Sequence, residues 1–270
     1  MTERLRENCR RLLEEGKVQV VIGYGGGGRP VFITRAEDAD KLEWNDRCFA
    51  NLAAYLTRKE VKALGQAAIV VKGCDERALV VLEKEWQIDR GALYVIGMAC
   101  NGVGAPKCAH CEVHVPRFAD EVIGEADGAA AAPPPDRLAA LMAKSPAERW
   151  AFWKAEFARC VKCYACRQVC PLCYCERCIT DKNRPVVIDT SASPKGNFAW
   201  HITRAFHLAG RCIGCGECSR ACPAGIPLGL LNQSLARATE ECFGYRPGMD
   251  PQAEPVFGAW SPADKEDFIR

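Results

Sequence analysis

The sequence predicts an α/β domain with a small parallel sheet, followed by a mainly helical domain organised around cysteines. Three observations predict this. Two short unbroken apolar runs, "QAAIVVKG" and "GALYVIGMAC", flank a stretch of helical period, as buried parallel strands flank a crossover helix. An alanine run stopped by three prolines, "GEADGAAAAPPPD", interrupts the chain at residues 124–136. Beyond it "CVKCYACRQVCPLCYCERC", residues 160–178, packs seven cysteines into nineteen residues. The expected units are an α/β domain over 1–124, a linker over 125–136, a cysteine-rich domain over 137–247 and an extended tail over 248–270.

In chain order, the charged amphipathic opening gives way to apolar stretches Val18 to Tyr24 and Val31 to Thr34. "GGGGRP" between them reads as the tip of a β-hairpin. It lacks the Lys-Ser or Lys-Thr of a phosphate loop and the G-x-G-x-x-G of a dinucleotide site. "WNDRCFANLAAYLTRKEVKAL" carries Phe49, Leu52, Leu56 and Leu64 at roughly helical spacing and predicts a helix, with Cys48 in the core. The first apolar run, "CDERALVVLEKEWQ" and the second run then form one β-α-β unit. Right-handed crossover puts both strand C-termini on one sheet edge, so Cys74 and Cys100 come together there. The loop leaving that edge supplies Cys108 and Cys111. After the linker, Ser145-Pro146-Ala147-Glu148 is a capping box opening a helix through Arg159, with Trp150, Trp153 and Phe157 on one face as expected core. A last helix runs from Leu228 to Cys242.

Composition narrows the chemistry. A chain of 270 residues buries a core without cysteine staples, so 18 cysteines call for a chemical reason. The N-terminus lacks the apolar core of a signal peptide and no apolar run approaches membrane-spanning length, which reads as a cytoplasmic protein with reduced thiols and no membrane insertion. With 36 basic and 34 acidic residues, the net charge of +2 offers no field for nucleic acid.

Cys160, Cys163, Cys166 and Cys170, then Cys212, Cys215, Cys218 and Cys222, repeat the run C-x2-C-x2-C-x3-C-Pro. This is the bacterial ferredoxin run, whose first three cysteines bind one 4Fe-4S cluster while the fourth reaches across to the other. The second domain is therefore expected to be a dicluster ferredoxin: Cys160, Cys163, Cys166 and Cys222 on one cluster, Cys212, Cys215, Cys218 and Cys170 on the other. Zinc sites join two C-x2-C pairs or add histidines, which is not this pattern. Cys74, Cys100, Cys108 and Cys111 would hold a third cluster. Cys173, Cys175 and Cys178 either join a fourth or pack around the loop. Cys9, Cys48 and Cys242 read as ordinary buried residues, and His201 and His207 as structural or as hydrogen-bond tuners of a nearby cofactor.

"AAIVVKGCDERAL", "LYVIGMACNGVG" and "CAHC" resemble the β-subunit family of deazaflavin (coenzyme F420)-reducing hydrogenases and formate dehydrogenases of methanogens. "WHITRAFHLAGRCIGCGECSRACP" resembles members of that family fused to a dicluster ferredoxin. The resemblance covers most of residues 18–225 and implies a 4Fe-4S cluster on Cys74, Cys100, Cys108 and Cys111, close to FAD. It also implies partners: hydrogenase, formate dehydrogenase or heterodisulfide-reductase-like subunits. "SASPKGNFAWHITR" is similar to the family's Ser-Pro-x-Gly segment before Thr-Arg, which places Ser193, Pro194, Gly196, Thr203 and Arg204 near a flavin. The chain lacks the family's Asp-Gly-Gly helix region, and few residues separate Cys100 from Cys108.

The leading expectation is an iron-sulfur electron-transfer subunit of a multi-subunit oxidoreductase. Two alternatives stand beside it: an FAD-containing module exchanging hydride with a deazaflavin or nicotinamide, and a redox-silent adaptor stabilised by metal. No catalytic residue is assigned.

Overall fold

The computed structural model describes residues 1–128, 136–180, 185–186 and 188–256. Helix α1 (Thr2–Glu14) buries Leu5, Cys9 and Leu12 along one face, then strands β1 (Val20–Gly25) and β2 (Arg29–Ile33) pair antiparallel. The glycine turn between them is a plain hairpin tip: Gly27 has φ 69°, a conformation that costs glycine nothing.

The expected helix over 44–64 is absent. Its C-terminal part breaks into a 3-10 turn, Leu52–Tyr55, and the single-turn α2 (Lys59–Lys62). The reason lies in its carbonyls: Ala50 O accepts from the Tyr24 hydroxyl (2.6 Å) and Lys72 Nζ (3.3 Å), and Phe49 O from Lys107 Nζ (3.2 Å). Side-chain donors hold the acceptors that a helix ladder would need.

Strands β3 (Ala67–Lys72) and β4 (Leu93–Met98) are parallel and joined by α3 (Gly73–Lys84), as expected. The sheet is larger than one β-α-β unit. Its order is β2-β1-β3-β4-β5, where β5 (Glu121–Ile123) pairs parallel with β4 and β1 pairs parallel with β3.

Past the linker, most of which lies outside the described residues, come α4 (Arg137–Met142) and α5 (Pro146–Ala158). The Ser145 and Glu148 side chains close a reciprocal capping box on α5. Of its aromatic stripe only Phe157 is buried; Trp150 is 56% exposed and packs on Phe198. The single turns α6 (Ala165–Gln168) and α8 (Glu217–Arg220) occupy equivalent places in the two cysteine runs, backed by α7 (Pro194–His207) and α9 (Leu228–Phe243).

The tail doubles back over the first domain. Arg77 donates to Pro247 O (2.9 Å), Arg117 to Met249 O (2.9 Å) and Lys84 to Asp250 O (2.7 Å). Residues 257–270 lie outside the described part. No described helix is long and apolar enough to cross a membrane.

Candidate metal centres

Because β3 and β4 run parallel in register, their C-terminal ends share one sheet edge. Cys74 sits in the first turn of α3 and Cys100 just beyond β4, and a 3-10 turn over Pro106–His110 carries Cys108 and leads into Cys111. These four cysteines line one cavity of about 60 Å³ with Lys72, Lys107 and His110, and its far wall is Ile213, Gly214 and Cys215 of the second domain. The loop can close over the sheet edge because position 73 is glycine: a Cβ there would lie 2.1 Å from Val113 O. Glu76 fixes the same loop by accepting the N–H groups of Arg117 and Phe118, each at 2.7 Å.

Beneath this cavity lies a buried charged network. Lys72 Nζ pairs with Asp75 Oδ2 at 2.6 Å and also donates to the Tyr24 hydroxyl. Lys107 Nζ lies 3.9 Å from Asp75 Oδ1. Burial opposes both ammonium charges, but Asp75 and Cys74 outweigh it, so both lysines are held above their ordinary pKa.

The two ferredoxin runs interlock. Cys160, Cys163 and Cys166 line a cavity whose fourth cysteine is Cys222. Cys212, Cys215 and Cys218 line another, whose fourth is Cys170. The runs fold alike despite different residues: Gly214 and Gly216 have φ of 72° and 70°, and Lys162 and Tyr164 at the equivalent positions have 54° and 59°. This left-handed conformation turns main-chain N–H groups toward sulfur. Lys162 N donates to Cys160 Sγ (3.4 Å) and Ile226 N to Cys222 Sγ (3.4 Å). In the first domain Gly102 N and Val103 N donate to Cys100 and Cys108, both at 3.3 Å.

Burial pushes the Cys74 thiol up to about 12, with Asp75 adding to the effect, and the Cys218 thiol up to about 11. A thiol must lose its proton to bind metal. A bound metal's positive charge favours loss of that proton. Among the described residues, no three His, Cys, Asp or Glu side chains meet as ligands of a single ion; each quartet rings a cavity instead.

The other expected residues are placed as follows. Cys173 lies beside Cys170 and accepts its hydrogen bond, which holds the Cys173 thiol low, with Arg204 and Arg211 also near. Cys175 is exposed, and Cys178 lies 2.8 Å from Thr180 Oγ1 in the core of the second domain. Cys173 and Cys175 line one cavity together with Cys170, and Cys178 is not among its lining residues. Cys9 and Cys48 are buried as expected, whereas Cys242 is exposed on the last turn of α9.

Ser193 N-caps α7, accepting from Gly196 N (3.0 Å) and donating to Asp189 Oδ2 (3.0 Å). Pro194 begins that helix. Gly196 is tightly enclosed, since a Cβ would stand 2.4 Å from Ser191 O. Thr203 is half-buried, and Arg204 is buried, donating to Cys166 O at 3.0 Å. These five residues thus build the helix start and the core between the ferredoxin runs.

Comparison with known proteins supports iron-sulfur binding by the two cysteine runs. A family model described as a 4Fe-4S dicluster domain matches residues 159–227. The F420-dependent formate dehydrogenase subunit beta of Methanocaldococcus jannaschii is 25% identical over 333 aligned positions, covering 85% of this chain and 86% of the relative. The F420-dependent formate dehydrogenase 1 subunit beta of Methanococcus maripaludis is 25% identical over 358, covering 93% and 92%. The chain is homologous to these beta subunits. Both alignments are longer than the 270 residues of this chain, so these beta subunits carry segments that it lacks. Their likeness nonetheless spans both domains.

Proposed function

We propose that this chain is the iron-sulfur electron-transfer subunit of an oxidoreductase complex, holding three 4Fe-4S clusters in a row. The observation that carries this reading is that three cavities are each ringed by a cysteine quartet, the first-domain one also touching Cys215 of the Cys212 quartet. A 4Fe-4S cluster has one thiolate at each iron, and each quartet supplies that number. Four of these twelve sulfurs already receive a main-chain N–H, the kind of contact that stabilises charge on cluster ligands. When bound, each cluster takes up and gives back one electron.

The order of the row follows from shared walls. Ile213, Gly214 and Cys215 belong both to the first-domain cavity and to that of Cys170, Cys212 and Cys218. Cys166 and Cys218 pack in one buried cluster, with Cys160 and Cys222 against it, which joins that cavity to the one around Cys160. The Cys212 quartet is thus the middle station, and the Cys160 quartet, with Cys163 exposed, is an outer one. Lys107, buried between Cys74 and Cys215, places a positive charge between the first station and the middle one. The partners in this reading are the other redox subunits of the complex, which the names of the relatives point to as formate dehydrogenase subunits.

The test is metal analysis with electron paramagnetic resonance on the full chain after anaerobic reconstitution. About twelve irons per chain are expected, four for each cluster, with reduced-cluster signals after dithionite. Serine at Cys74, Cys100, Cys108 or Cys111 should each bring the content to about eight. A chain that loads only about eight irons before any substitution would remove the first-domain cluster, and a chain without reduced-cluster signals would be a structural adaptor.

A further inference from the structure

His201 lies on α7, 2% exposed, with its ring stacked on Phe157 at a centroid distance of 4.6 Å. Neither ring nitrogen has a hydrogen-bond partner in the protein. A buried imidazole left this way is costly, because a neutral ring keeps one N–H donor and one acceptor that water would have satisfied. The ring is also one of the walls of the cavity lined by Cys160, Cys163, Cys166 and Cys222.

The middle cavity provides an internal comparison. Its helix, α9, contributes Asn232, also buried, and Asn232 Nδ2 donates to Cys218 Sγ at 3.6 Å. A long helix thus directs a side-chain donor at each ferredoxin cavity. At the middle one the donor finds a cysteine sulfur. At the outer one no protein atom receives it, and the acceptor has to come from what the cavity holds.

We propose that a ring N–H of His201 donates a hydrogen bond to a sulfur of the cluster held by Cys160, Cys163, Cys166 and Cys222, and that this bond raises that cluster's reduction potential. The inference rests on the reading of this quartet as a cluster site. Four thiols already serve the four irons, so the imidazole acts as a positioning and tuning donor and not as a fifth ligand. The sign follows from charge: reduction adds an electron to the iron-sulfur core, its sulfurs become better acceptors, and a fixed donor stabilises the reduced state more than the oxidised one.

The experiment is a redox titration of the full reconstituted chain followed by paramagnetic resonance, with the outer cluster recognised as the signal altered by Cys222→Ser. His201→Phe keeps an aromatic ring and removes the donor. The ratio of reduced to oxidised outer cluster at fixed poise should fall about tenfold, a shift of about 59 mV for one electron, while the other two clusters stay in place. His201→Gln restores an N–H and should recover part of the shift. In unaltered protein carrying 15N-histidine, the reduced outer cluster should show a nitrogen coupling, since His201 is the histidine lining that cavity.

An unchanged potential in His201→Phe, or an equal shift at all three clusters, overturns the proposal. So does the absence of the nitrogen coupling, a readout that holds even if the phenylalanine variant does not fold. Failure of the unaltered chain to assemble any cluster on the Cys160 quartet is seen before any His201 variant is made. It overturns the cluster reading, and this proposal with it.

Discussion

Arg211, one residue before the second ferredoxin run, grips Glu85 at the C-terminal end of α3: Nη2 lies 2.6 Å from Oε2, and Nε pairs with Oε1. The guanidinium also donates to His207 O (3.0 Å) and Leu172 O (3.2 Å), and its plane lies over Tyr174. This is a two-pronged, mostly buried bond between the end of α3 and the segment that leads into the second cysteine run. Burial opposes the Arg211 charge, but Glu85 outweighs it and raises the pKa.

Breaking that grip should loosen the domain interface. In a double-mutant cycle of Glu85→Gln and Arg211→Met, the coupling is expected at about 1 to 2 kcal/mol. Scanning calorimetry of the loaded chain would then record a drop of roughly 4 °C for Arg211→Met. Strictly additive single and double variants would mean that the pair contributes nothing to holding the domains together.

How far the sequence foretold this arrangement depended on the range of the interactions involved. Chain direction and crossover hand alone bring Cys74 and Cys100 to one sheet edge, and the loop adds Cys108 and Cys111, the four that line one cavity. The interlocked runs followed from spacing. What local pattern could not reveal was set by distant partners. The carbonyls of Phe49 and Ala50 are held by Lys107, Tyr24 and Lys72, and this breaks a helix whose apolar spacing looked regular. Strand β5 is only three residues long, too short for an alternating pattern. Ile213 to Cys215 as the far wall of the first-domain cavity, and the tail bonded to Arg77, depend on docking between domains. The orphaned ring of His201 has no sequence signal beyond its place before a cysteine run.

The equivalent loops offer a test of backbone conformation. Gly214 has φ 72°, and a Cβ added there would have no atom within 4 Å, so Gly214→Ala meets only the left-handed penalty. A loss of about 1 to 2 kcal/mol is expected. Lys162, at the equivalent position with φ 54°, already carries that strain. Lys162→Gly relieves it but removes a buried stem over Trp200, and its net change should be much smaller. Thermal denaturation of both loaded variants checks the contrast, and an equally mild Gly214→Ala would show that this loop tolerates a side chain freely.

Cys9 lies outside the three quartets and should be the least reactive of the remaining thiols. Burial, with the nearby Glu121 charge, pushes it up to about 12. A raised thiol pKa leaves the thiolate scarce below that value and increasingly available only as pH approaches it. Iodoacetamide at pH 8 should therefore label the exposed Cys175 and Cys242 and leave Cys9 untouched, with Cys9 labelling rising toward pH 11. Peptide mass spectrometry reads each site. Prompt labelling of Cys9 at pH 8 in folded protein would contradict the burial seen for α1.

The crossing of the two runs makes a sharper prediction, because Cys222 is nearer in sequence to the cluster it should not serve. Cys222 lines the cavity of Cys160, Cys163 and Cys166, and Cys170 that of Cys212, Cys215 and Cys218. Cys222→Ser should therefore alter the resonance and lower the potential of the outer cluster, built on residues far upstream, and leave the middle cluster's spectrum in place. Cys170→Ser should do the reverse. The middle cluster stands between the other two, so its loss should also weaken the magnetic coupling seen when all are reduced, whereas loss of the outer one should preserve coupling between the middle and first-domain clusters. If Cys222→Ser instead disturbed the cluster of its own run, each run would close on itself, and the order of stations inferred from the shared walls would have to be redrawn.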